Sequence, residues 1–102
     1  MVALIEEHRA ELEALCREFA VRRLEVFGSA TDARFDPARS DVDFLVDFDR
    51  GAGIRPFRQY MGFLLAAEDL LGRKVDLVED AAIDNPHFRQ AVDAQREPVY
   101  AA

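Results

Sequence analysis

The sequence of 102 residues has one cysteine, Cys16, so an internal disulfide is excluded. Cys16 falls among apolar positions at helical spacing, which predicts a buried and unreactive thiol. No apolar run approaches the roughly 20 residues of a membrane span. Glu6 and Glu7 stand where a signal peptide would be apolar, so a cytoplasmic location without a membrane partner is expected. Basic residues are few: 13 Lys and Arg against 20 Asp and Glu, a net charge of −7. That balance argues against broad contact with nucleic acid, which needs clustered cations. It suits a basic protein partner, or it serves solubility alone. Internal repeats and low-complexity segments are missing too. The length and a half-hydrophobic composition predict one small domain, residues 1–102, with one core.

Hydrophobic spacing outlines the elements. Ile5, His8, Leu12, Leu15 or Cys16, and Phe19 recur at helical steps over 2–20, with glutamates opposite. His8 lies on the apolar face and reads as a packing residue. A strand over 21–27 ends in Phe27, and Gly28 permits a sharp turn. Residues 29–40 form a loop around Asp36-Pro37, with room for one helical turn. A second strand over 41–48 presents Val42, Phe44, Val46 and Phe48 on one face. A second helix runs from Pro56 to Leu71, capped by Gly72. Lys74 to Glu79 make a third strand. Strand, helix and strand over this distance predict a βαβ unit with strands two and three parallel. Asp84-Asn85-Pro86 opens a last helix, and Pro98-Val99-Tyr100 is a short extended end. The whole is an α+β chain of order αβαβαβα around a small mixed sheet.

The chemistry concentrates between residues 27 and 43. Asp41 and Asp43 lie about 7 Å apart on one strand face, because side chains alternate. Two such carboxylates repel unless a cation lies between them. An all-oxygen set favours Mg²⁺ or Mn²⁺. Gly28-Ser29 offers backbone N–H groups and a hydroxyl suited to a phosphate. In the third strand Asp76 shares its phase with Lys74 and Val78. If Val75 and Leu77 pack with Val42 and Phe44, Asp76 joins Asp41 and Asp43 on one sheet face. A metal site beside a phosphate cradle points to phosphoryl or nucleotidyl transfer.

Phe27-Gly28-Ser29, the spacer, Asp41-Val42-Asp43-Phe44, and Leu71-Gly72-Arg73-Lys74-Val75-Asp76-Leu77-Val78 together resemble the nucleotidyltransferase superfamily of DNA polymerase β and kanamycin nucleotidyltransferase. Within it the chain is most similar to the minimal nucleotidyltransferases, the MNT-domain antitoxins paired with HEPN-domain toxins. That resemblance implies the polymerase β-like fold and AMP transfer from ATP. Asp41, Asp43 and Asp76 would hold two Mg²⁺ ions, and Asp76 would accept the proton of the incoming hydroxyl. Gly28 and Ser29 would grip the β- and γ-phosphates. The implied acceptor is a tyrosine of a helical HEPN ribonuclease, because the chain has no room for an acceptor domain of its own. A non-catalytic antitoxin that masks its partner, and a free-standing transferase acting on a small molecule, are the alternatives. The resemblance leaves open whether the chain also self-associates.

Four further residues have two readings each. Ser40 either bonds a phosphate or terminates its loop. Lys74 either neutralises the carboxylates or is an exposed edge lysine. Tyr60 and Tyr100 read as packing residues rather than acceptors. The family's Ala-Arg-Gly after Gly-Ser is replaced by Ala30-Thr31-Asp32-Ala33-Arg34-Phe35. Arg34 would stand in for the usual arginine after a one-residue shift, and Asp32 near phosphate is unfavourable unless it turns outward.

Overall fold

The computed structural model describes residues 1–31 and 34–102. Asp32 and its reading as a phosphate neighbour lie outside the described residues. Four strands, β1 (Val21–Phe27), β2 (Val42–Phe48), β3 (Val75–Glu79) and β4 (Arg96–Ala101), form one sheet in the order β3-β2-β1-β4. β1 pairs antiparallel with both β2 and β4, and β2 pairs parallel with β3. The parallel pair follows from its crossover helix, α3 (Pro56–Leu71). The helix keeps the bounds expected from Pro56 and Gly72, and Gly72 caps it at φ 67°.

One sheet face carries the main core. Leu24 and Val26 of β1, Val42, Phe44, Val46 and Phe48 of β2, and Val75 and Leu77 of β3 all pack there. Phe63, Ala67 and Leu71 of α3 close over them, and Phe63 meets Phe19, Phe44 and Phe48 edge to face. Gln59 is fully buried but satisfied: its Nε2 donates to Phe19 O at 3.2 Å and Asp49 O at 2.9 Å. On the other face, among the described residues, Phe27, Leu45 and Val92 form a smaller buried cluster, with Val78 and Ile83 beside them. Val92 belongs to α4 (Pro86–Ala94), whose Asn85 side chain caps the first turn. Asp43 and Asp76 border an open cleft on that face.

Three features differ from the sequence expectations. The first helix divides at His8 into α1 (Ala3–Glu7) and α2 (Arg9–Glu18). The His8 ring Nδ1 donates to the Leu4 carbonyl at 2.9 Å, and the His8 N–H turns to Ile5 O at 3.2 Å. The ring thus takes the carbonyl that a continuous helix reserves for the amide. Between β1 and β2 a 3₁₀ turn, Gly28–Thr31, stands where the expected αβαβαβα order had a helix. The extended end is a six-residue strand, β4, so the chain closes on a strand rather than a helix. Pro98 has no N–H to give and sits where a sheet tolerates it, on the edge strand.

Candidate active site

The site grows from one row of the sheet. Phe27 of β1, Asp43 of β2 and Asp76 of β3 are register partners. Since their neighbours Val26, Val42, Phe44, Val75 and Leu77 point into the core, these three point to the open face. The phase argument therefore holds for Asp43 and Asp76. Their carboxyls come within hydrogen-bonding reach of each other. Asp41 precedes the first residue of β2, is exposed, and acts on Asp43 through its charge. Burial first, then the hydrogen bond and charge of Asp76, then the charge of Asp41 push the Asp43 carboxyl up to about 6. Asp43 is the more buried member of the pair.

Among the described residues no three His, Cys, Asp or Glu side chains are gathered tightly enough to cage an ion. The donor set nonetheless fits a hard divalent cation. It is all carboxylate oxygen, and a cation would offset the mutual repulsion of its charges.

Gly28 closes this row from above. Its φ of +68° is left-handed. A Cβ there would stand 2.8 Å from Asp43 Oδ2, so the backbone turn lies directly against the carboxylate. Ser29 follows, half-buried, in the 3₁₀ turn. Thr31 Oγ1 donates to Gly28 O at 2.7 Å, and Val2 N–H donates to Ala30 O at 3.1 Å. These two bonds hold the turn from inside and from the N-terminus.

Ser40 is engaged within its own loop. Its Oγ accepts from Asp36 N–H at 2.9 Å, and its N–H donates to Asp36 O at 2.8 Å. Arg73 anchors that loop: Nη1 donates to Ser40 O at 3.2 Å, and the guanidinium lies 5.2 Å over the Phe35 ring. Arg34 Nη2 donates to Gln95 Oε1 at 2.6 Å, toward the end of α4. Tyr60 acts as a packing and capping residue, its hydroxyl donating to Leu77 O at 2.6 Å.

A cleft of about 610 Å³ opens beside the carboxylates on the β3 side. Asp43, Asp76, Lys74, Phe27, Val78 and Phe88 border it. Sequence reasoning placed Phe88 only on a helix; it also stands edge to face on Phe27, with ring centroids 6.1 Å apart. No periodic signal carries that, because the two rings lie far apart in sequence. Equally unforeseen is an ion-pair network on the same face. Arg96 Nε and Nη2 donate to the Glu25 carboxylate at 3.1 and 2.6 Å, and Arg96 Nη2 also reaches Asp80 Oδ2 at 3.3 Å. Burial alone would raise Asp80, but bonds from Arg89 and Arg96 hold its carboxyl below the usual range. Burial pushes the Cys16 thiol up to about 12, as an inert core cysteine requires.

Comparison with known proteins adds to this geometry. The nucleotidyltransferase domain family matches residues 9–97. A Methanocaldococcus jannaschii chain provisionally named a protein adenylyltransferase is 34% identical over 86 residues, 83% of each chain. A solved structure provisionally described as a minimal nucleotidyltransferase is 35% identical, with a TM-score of 0.67 over 92% of this chain and 94% of its own. A tri-AMPylated Shewanella oneidensis HEPN toxin in complex with its MNT antitoxin shares the fold at 17% identity. Its TM-score is 0.65 over 96% of this chain and 73% of the matched one.

Proposed function

The chain belongs to the nucleotidyltransferase domain family, and from that premise we propose that it transfers AMP from ATP to a tyrosine hydroxyl of a helical HEPN-type partner. The reading rests above all on one observation: Asp43 and Asp76 are register partners and Gly28 presses against Asp43. The carboxylates read as metal ligands and the turn read as a phosphate cradle thus adjoin each other. Asp41, Asp43 and Asp76 would hold two Mg²⁺ ions, which when bound supply charge that activates the hydroxyl and stabilises the leaving pyrophosphate. Gly28 and Ser29 bind the β- and γ-phosphates. Asp76 faces the cleft and accepts the proton of the incoming hydroxyl. A bond forms between that oxygen and the α-phosphorus, and the bond to pyrophosphate breaks on the opposite side.

The relatives support the choice of acceptor. One bears the name protein adenylyltransferase, and another assembly of this fold contains an AMPylated HEPN toxin. The exposed Asp76 and the open cleft beside it leave space for a protein segment. AMP on the acceptor adds phosphate charge and bulk at its site.

The experiment is mass spectrometry of a HEPN partner after incubation with ATP, Mg²⁺ and a small fraction of this protein. Additions of about 329 Da per AMP are expected on an excess of partner, as phosphate-ester attachment requires. Asp43→Asn together with Asp41→Asn should abolish them. A partner neutralised only at one-to-one ratio, with unchanged mass, would replace transfer by masking.

A further inference from the structure

The outer face of α3 is apolar where solvent should find polar side chains. Phe57 is 78% exposed and Leu65 58% exposed, and Met61 lies between them. With Asp69 they fall at steps of four, so the four side chains form one row on the helix. The inner face of the same helix is already spent on Phe63, Ala67 and Leu71. Beside the row runs a groove of about 600 Å³, lined also by Phe19, Arg55 and Arg58. Gly62 lets Phe19 come close, since a Cβ there would meet Phe19 Cε1 at 2.4 Å. A concentrated apolar row on a chain with 32% charged residues marks a surface meant to be covered.

We propose that this row is covered by the same row of a second copy, the two α3 helices packing antiparallel about a two-fold axis near Met61. The charges favour this occupant. Arg55 and Arg58 flank the N-terminal end of the row, and Asp69, with Glu11 of α2 beside it, closes the C-terminal end. An antiparallel two-fold lays Phe57 on the second copy's Leu65 and brings Asp69 toward the second copy's Arg55 and Arg58. Such self-complementarity is what a two-fold interface demands. Rows at steps of four interdigitate readily between helices, and antiparallel helix dipoles attract.

Position favours it too. The row lies behind the sheet, on the α3 layer, while Asp43 and Asp76 face the opposite side. The active cleft does reach α3 at Tyr60, Leu64 and Glu68, but none of these belongs to the row. The dimer uses neither Asp43 nor Asp76, so this inference stands apart from the reading of the active site.

Sedimentation equilibrium of the 102-residue chain tests it. An interface of this limited extent should associate with a dissociation constant of about 10 µM, so the weight-average mass should rise about 1.6-fold between about 1 and 300 µM. ATP and Mg²⁺ should not alter this. Leu65→Lys should abolish dimerisation and leave the melting curve unchanged, because the side chain is exposed. Asp69→Arg should weaken the dimer at least about tenfold through like-charge contact. Adding Arg55→Asp and Arg58→Asp to it should restore the dimer. A monomer throughout this range overturns the proposal. So does a dimer indifferent to Leu65→Lys, or an Asp69→Arg defect that the arginine reversals leave in place. A chain that stays monomeric alone, yet loses a foreign partner on Leu65→Lys, assigns the row to that partner instead.

Discussion

Replacing Asp43 by Asn should make the metal-free protein more stable. Burial and the neighbouring Asp76 and Asp41 raise the Asp43 carboxyl from 3.8 to about 6 in the fold. A raised folded value means that ionisation costs stability: the contribution is intact below pH 3.8 and is lost as pH rises through about 6. The displacement corresponds to about 3 kcal/mol at pH 8. Solvent screening at a half-buried group brings this down to about 1.5 kcal/mol. The amide of Asp43→Asn removes the charge and can donate to the Asp76 carboxylate. For a domain of this size the gain is ~8 °C in melting temperature. Circular-dichroism melts in chelator, at pH 8 and at pH 4, read it directly. The gain should be full at pH 8 and mostly gone at pH 4, where Asp43 is protonated in the fold and the unfolded carboxyl is about half protonated. Mg²⁺ should raise the melting temperature of the parent and leave the variant where it was. A variant that melts below its parent at pH 8 in chelator would refute the reasoning and make Asp43 a structural residue.

Three more substitutions probe the scaffold around this row. Gly28→Ala puts a Cβ at a left-handed φ and 2.8 Å from Asp43 Oδ2; it should cost about 2 kcal/mol in urea denaturation and remove transfer activity. Arg73→Ala removes both the bond to Ser40 O and the stacking on Phe35; calorimetry should show Mg²⁺-ATP affinity falling about tenfold, about 1.4 kcal/mol, because the loop leading into Asp41 loses its anchor. Arg96→Ala leaves the buried Glu25 carboxylate to the half-exposed Arg23, 3.3 Å away, and should destabilise by about 2 kcal/mol, whereas adding Glu25→Gln should recover most of the loss.

Local signals in the sequence carried the site's frame because each was self-contained. The alternation of Val42 and Phe44 with Asp43, and of Val75 and Leu77 with Asp76, fixes phase without knowledge of the rest of the fold. Pro56 and Gly72 bound α3 by backbone chemistry alone, and the βαβ spacing makes β2 and β3 parallel. What stayed hidden depends on partners distant in the chain. The pairing of β4 with β1 joins residues 69 to 78 positions apart, and a short Pro-containing end gives no alternation to read. The break at His8 comes from one ring competing for one carbonyl, which a periodic pattern cannot register. Arg73 meets Ser40 and Phe35 only after the loop has folded back. The register that puts Asp76 beside Asp43, rather than one step along, likewise emerges from strand pairing.

The topology explains why this row can be open. A parallel pair such as β2 and β3 is normally covered on both faces, yet here α4 covers only the part near Leu45 and Val78. The strand β3 is also a sheet edge, with outward N–H and C=O groups that invite another strand. α3 blocks that hazard: Glu68 Oε2 accepts from Val75 N–H at 3.0 Å, and the Tyr60 hydroxyl donates to Leu77 O at 2.6 Å. The edge is thus closed by side chains while the face above it remains bare. A third covering helix would bury Asp43 and Asp76 further, raise their mutual repulsion and exclude a substrate. The sheet therefore places its stabilising contacts on the α3 face, and the exposed carboxylate row is the surface that this arrangement leaves free for chemistry.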